Sequence, residues 1–161
     1  MFRVGFTGNH NIGFTDKQEK IFKDIILEFA NEKDQIEFHH GDCIGADAEA
    51  HDIVQACNTL FHETKIPKTK NQNQIFPQIA IIVHPPINPK ARAFKNGDII
   101  LPEKEYIKRN HDIVNVCDIL IAVPSGYTEK SRSGTWATIR YAIQQGVPVW
   151  INYPDGNIEI K

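Results

Sequence analysis

The order of the apolar runs constrains this chain most. Short runs of β type occur at "FRVGFTG" (residues 2–8), "IEFHHGD" (36–42), "QIAIIVHPP" (78–86), "DILIAVP" (118–124) and "VPVWINYP" (147–154), with helix-spaced segments between them. The first such segment places Phe22, Ile25, Ile26 and Phe29 on one face, and Thr15 followed by Gln18 predicts a capping box at its start. "GADAEAHDIVQAC" is alanine-rich and predicts a second helix, "PEKEYIKRNHDIVNVC" a third with Pro102 at its start, and Ser133 caps a fourth. Strands alternating with helices predict an α/β chain, a Rossmann-like three-layer sandwich whose parallel sheet has about five strands and helices on both faces. Residues 1–161 are expected to form a single domain around one core. Loop insertions are expected at about 63–78 and 85–102, the second long enough to be a lid, a binding loop or disorder.

In sheets of this kind ligands sit beyond the carboxyl ends of the strands. Three loops follow strands here: Gly8-Asn9-His10, Gly41-Asp42-Cys43 and Pro124-Ser125-Gly126. A helix N-terminus offers free N–H groups and the positive end of a dipole, so Ser133-Gly134-Thr135 predicts an anion site, phosphate above all. Its alternative is a plain N-cap. "GDCIGADAEAH", with Gly41, Gly45 and Asp47, predicts a second anion nest, or only a turn. Arg109-Asn110 would complete a shared pocket, since a guanidinium fits phosphate oxygens in fork geometry; a salt bridge is the rival reading.

Charge bears on the partner. The net charge of −2 gives no overall field for a polyanion, but residues 1–62 hold 5 Lys/Arg against 11 Asp/Glu and residues 63–161 hold 13 against 9. An anion site would therefore draw its cations from the second half. The seven histidines show no metal-binding spacing, so no metal is expected, and His10 and His40 are read as ligand contacts. Cys43, Cys57 and Cys117 read as buried free thiols. Tyr127 and Trp136 are candidates for stacking on a base, with core packing the alternative for Trp136. No apolar run approaches the roughly 18 residues of a membrane span, and the start carries no export signal, so a cytoplasmic protein without a membrane partner is expected.

Three blocks taken together carry a resemblance. "SGTWATIRYAIQQGVPVW", "HGDCIGADAEAH" and "YIKRNHDIVNVCDILIAV" resemble, in that order, segments of the Rossmann-like superfamily of DNA-processing protein A (Smf) and Lonely Guy proteins. The match spans about residues 36–57 and 103–151. It implies a ligand phosphate near Ser133, Gly134 and Thr135, with Gly41, Gly45, Arg109 and Asn110 around the same pocket. It also implies a homodimer formed through helices flanking the sheet.

Lonely Guy enzymes carry a catalytic glutamate that works with an arginine matched here by Arg109. The glutamate position holds Thr138, and N-glycosidic hydrolysis needs a carboxylate. Asp42, Asp47 or Glu129 would have to substitute. The resemblance therefore implies binding of a nucleotide or nucleotide-derived phosphate ligand, as a sensor, carrier or sequestering protein, and no further cofactor. An N-glycosidic hydrolase or transferase acting through Asp42, Asp47 and Arg109 is the alternative. Smf-like single-stranded DNA binding is a third reading, not favoured, because Lys65, Lys68, Lys70, Lys90, Arg92 and Lys95 would be its only local cation patch.

Overall fold

The computed structural model describes residues 1–63 and 79–161. The insertion expected at 63–78 lies, past Glu63, outside the described residues, and with it Lys65, Lys68 and Lys70. Strand β1 (Phe2–Gly8) leads to helix α1 (Asp16–Glu32), β2 (Ile36–His40), α2 (Ala46–Glu63), β3 (Ile79–Val83) and β4 (Ile99–Ile100). Then follow α3 (Tyr106–Val116), β5 (Ile119–Val123), α4 (Gly134–Gln144), β6 (Val149–Asn152) and β7 (Ile158–Ile160). These described strands form one sheet in the order β4-β3-β2-β1-β5-β6-β7, parallel throughout except where β7 pairs with β6. Strand order reverses between β1 and β5, which opens a crevice beyond their carboxyl ends.

Helices α1 and α2 cover one face, and α3 and α4 the other. The period of two along the strands sends alternate side chains to these two layers. Phe6 and Phe38 meet Phe22 of α1 at ring-centroid distances of 5.4 and 6.0 Å, at the centre of the larger core. Leu120, Ala122, Val149 and Ile151 pack against Val114, Trp136, Ile139 and Ala142 on the opposite side. The predicted box at the head of α1 is formed in both directions: Gln18 N–H donates to Thr15 Oγ1 at 3.2 Å and Thr15 N–H to Gln18 Oε1 at 3.0 Å. All three cysteines are free and buried. No helix among the described residues is long and apolar enough to cross a membrane.

Two features differ from expectation. The sheet has seven described strands rather than about five. β4 is a two-residue edge strand inside the connection expected to be irregular, and β7 is a three-residue antiparallel strand after the fifth predicted run. The third helix begins at Tyr106, not at Pro102. Lys104 N–H donates to the Pro85 carbonyl and Ile87 N–H to the Lys104 carbonyl, so residues 103–105 are held in an extended ladder and the helix starts after it.

Candidate ligand-binding site

The β1–α1 loop, the start of α3, the β5–α4 loop and the first turn of α4 surround a cavity of about 240 Å³. Its lining is Asn9, His10, Tyr106, Ser125, Lys130, Arg132, Ser133, Gly134, Thr135 and Trp136. Six of these, namely Asn9, His10, Ser125, Ser133, Gly134 and Thr135, are site residues that the sequence predicts. Ser133 caps α4 by accepting from Trp136 N–H at 3.4 Å. Thr135 turns inward: it is 3% exposed and its Oγ1 donates to the Gly8 carbonyl at 2.9 Å, tying α4 to the end of β1. Asn9 brings an amide Nδ2 that is sealed from solvent and has no partner. Lys130 and Arg132 make no ion pair with any described residue, whereas Glu129 on the same loop is bound to Arg140 at 2.6 Å.

The second glycine turn does not open into this cavity; the chain's own arginine occupies it. Arg109 is 3% exposed and its Nη1 fills the space a Cβ on Gly41 would need. Its Nη2 donates to Cys43 Sγ at 3.1 Å, Nη1 lies 3.6 Å from Asp47 Oδ2, and Nε has no hydrogen-bond partner. The guanidinium stacks on the Tyr106 ring at 5.0 Å, and the Tyr106 hydroxyl in turn fills the space over Gly134. Gly41 and Gly134 thus converge on one Tyr106–Arg109 stack. Glycine is required at both for the same reason, close approach of a side chain.

Around Arg109 the groups are titrated by burial. Desolvation pushes the Asp47 carboxyl up against the downward pull of the arginine, and Cys43 N–H donates to it at 3.2 Å. Burial raises the Cys43 thiol to about 11, which keeps it protonated and unreactive. Asp42 is fully buried and saturated: Arg92 Nε donates to it at 2.8 Å and Lys95 N–H at 2.9 Å. Asn110 Nδ2 donates to Thr138 Oγ1 at 2.8 Å, and that hydroxyl donates to the Gly134 carbonyl, so Thr138 is 3% exposed and committed to the base of α4. Gly45, at φ +100°, packs against the Asn9 carbonyl and holds the β1–α1 loop, Pro124 is buried beneath Ser125 and Gly126, and its carbonyl accepts from Gln18 Nε2.

The remaining candidates are spread elsewhere. Tyr127 stacks on Tyr153 at 5.7 Å and does not line the cavity; Trp136 does, while also packing in the second core. His40 is fully buried. Of the cations considered for nucleic acid, Arg92 is bound to Asp42 and Glu103 and Lys95 to Asp52. No group of three metal-ligating side chains occurs among the described residues. Sequence reasoning missed Tyr106, Lys130 and Arg132. Tyr106 carried a signal, since it lies three residues before Arg109 and shares its helix face. The two cations carried another, within four residues of the Ser133 cap.

No protein-family model matches the chain, and no curated protein sequence matches it. Solved structures do share its fold. The molybdenum cofactor binding protein from the phototrophic bacterium Rippkaea orientalis superposes with a TM-score of 0.58 at 16% identity, over 94% of this chain and 76% of its own. The Moco carrier protein from Chlamydomonas reinhardtii gives 0.59 at 15%, over 93% and 75%. DNA processing protein A from Streptococcus pneumoniae gives 0.59 at 17%, over 94% of this chain and 50% of its own. The last belongs to the superfamily that the three sequence blocks resemble, and this chain has its fold, over half the length of that protein.

Proposed function

We propose that the chain binds a phosphate-bearing small molecule, a nucleotide or nucleotide-derived cofactor, with its anionic end at the N-terminus of α4. One observation carries this reading. The cavity combines the N-terminus of that helix with two cations lacking any described ion-pair partner. At about 240 Å³ the cavity is smaller than the roughly 300–1,000 Å³ of sites that engulf a whole ligand. It holds the anionic end, and the rest of the ligand extends across the Tyr106 and Trp136 rim. A sensor, carrier or sequestering role fits this lining, which contains no carboxylate.

The test is calorimetry with adenosine and guanosine mono- and diphosphates, cyclic nucleotides and ADP-ribose. Molybdenum cofactor joins the panel because two structural neighbours are named for it. Micromolar binding by one member supports the reading, and silence across the panel refutes it. Release of free base from a nucleoside monophosphate, lost in Asp47→Ala, would replace it with the hydrolase reading. A gel shift of single-stranded DNA that collapses steeply with salt would replace it with the DNA reading. The homodimer belongs to the same proposal and is checked by light scattering.

A further inference from the structure

Four histidines outside the cavity, three at the carboxyl ends of β2 and β3 and His51 on α2, form two hydrogen-bonded pairs. His39 Nδ1 lies 2.9 Å from His84 Nε2, and His40 Nε2 lies 3.0 Å from His51 Nδ1. Successive residues of a strand face opposite ways, so the pairs lie on opposite faces of the sheet. All four side chains are at most 6% exposed.

The second pair has a fixed proton order. Asp42 N–H donates to His40 Nδ1 at 3.1 Å, so this nitrogen is the acceptor and the ring proton sits on Nε2. Nε2–H then donates to His51 Nδ1. A further proton on either acceptor nitrogen meets an N–H already aimed at it, and one hydrogen bond of the relay must break.

The relay ends on the residue that fastens the β3–β4 connection. Asp42, at φ 55°, receives Arg92 Nε and Lys95 N–H on its carboxylate, and its carbonyl accepts from Ala93 N–H at 2.7 Å. Next to it, Ile44 N–H donates to the Ala91 carbonyl at 3.0 Å. Residues 91–95 are therefore zipped onto residues 42–44, whose backbone geometry is braced by His40.

We propose that the His51–His40–Asp42 relay is a proton-sensitive latch on residues 91–95: one added proton breaks it and frees this segment while the sheet stays folded. Burial lowers both imidazoles of the pair, and the charges facing them are mixed. Burial is the main cause that lowers His40, and His51, His84, Arg109 and His39 add to it. Burial also lowers His51; Lys95 assists, and Asp52, Asp42 and Asp98 oppose. A depressed imidazole leaves the closed form intact at neutral pH and costs it stability as pH falls below the free-histidine value of about 6.5.

The experiment is hydrogen exchange of the full chain, corrected for intrinsic rates, at steps from neutral to about pH 4, the value of His84. Exchange across 91–95 is expected to rise at least about tenfold more than exchange in β1 and α1. His51→Asn places an amide oxygen where Nδ1 accepts and takes no proton, so it should remove most of the rise. His84→Gln, on the other face, should leave it intact. No rise in wild type, a rise equal to that of β1 and α1, or equal effects of the two variants would overturn the latch. Proton NMR of the wild-type histidines covers the case in which His51→Asn does not fold. The Ala93 and Lys95 amides must shift with the same midpoint as the His40–His51 pair, and separate midpoints overturn the proposal.

Discussion

Gly41→Ala distinguishes two reasons for a glycine at the end of β2: room for a ligand, or room for Arg109. The added Cβ would fall on Arg109 Nη1 and 2.7 Å from Asp47 Oδ2. Neither neighbour can yield into solvent, since Arg109 is 3% and Asp47 6% exposed. Overpacking a core costs about 1–3 kcal/mol, and separating a buried ion pair costs about 3–5 kcal/mol. The pair here is long, at 3.6 Å, so part of the second cost is already present in the native chain. A loss of about 3 kcal/mol is expected, a large share of the roughly 5–15 kcal/mol that holds a domain together. It corresponds to a fall in Tm of about 6–12 °C. Urea denaturation reads it, and Arg109→Ala completes a double-mutant cycle. With the guanidinium gone, Gly41→Ala should cost less than about 1 kcal/mol. Equal costs in both backgrounds, or a wild-type cost under about 1 kcal/mol, would refute the reasoning and return Gly41 to the role of a ligand contact.

Further expectations follow from the same contacts. Lys130→Gln with Arg132→Gln removes two cations whose attraction to a phosphate about 4 Å away is worth about 1–4 kcal/mol each. Affinity for the best nucleotide of the panel should fall at least about tenfold and lose most of its salt dependence, with Tm unchanged; unaltered affinity would move the site elsewhere. Asp42→Asn weakens the grip on Arg92, so trypsin should cut after Arg92 and Lys95 several times faster than in wild type, with the α1 and β1 region still intact. Thr15→Ala deletes the capping box and should cost about 1 kcal/mol in denaturation. Burial lowers His39 and His84, the latter to about 4, so global stability should decline as pH falls from about 6.5 through that value, and His84→Gln should flatten the slope.

Much of the fold was legible because it depends on local patterns. The period of Phe22, Ile25, Ile26 and Phe29 and the Thr15–Gln18 box define α1 within the chain itself. Strand β5 reads as a continuous apolar run because both its faces are covered. The misses came from long-range effects. β4 consists of two exposed isoleucines at an edge, too short to show any period. The head of α3 was displaced by the pairing of Lys104 with Pro85, about twenty residues away in sequence. β7 did carry a sign, the Pro154-Asp155-Gly156 turn before an alternating Ile-Glu-Ile. At the site, the cap residue and the glycines could be read, but the identity of what approaches each glycine depends on which helix face packs there.

The helix face that packs at each glycine also bears on where an anion can go. A strand-to-helix glycine turn with a nearby arginine has one pattern in sequence and two outcomes in space. At β2 the arginine folds inward: Arg109 gives one bond to Cys43, a long contact to Asp47 and an unpartnered Nε, and Tyr106 closes over it. A buried guanidinium this poorly satisfied is expensive to desolvate, so its position is maintained by the packing of Tyr106 and Gly41 rather than by its own bonds. At α4 the corresponding cations stay outside. Lys130 and Arg132 are exposed beside the cavity, without a described ion-pair partner, and give up little to meet a ligand there, whereas Arg109 would first have to displace its own tyrosine. Of the two glycine turns from which the sequence predicts an anion nest, the fold therefore fills one from within and leaves the other, at Ser133-Gly134-Thr135, beside the crevice at the switch point of the sheet, where the proposed ligand would sit.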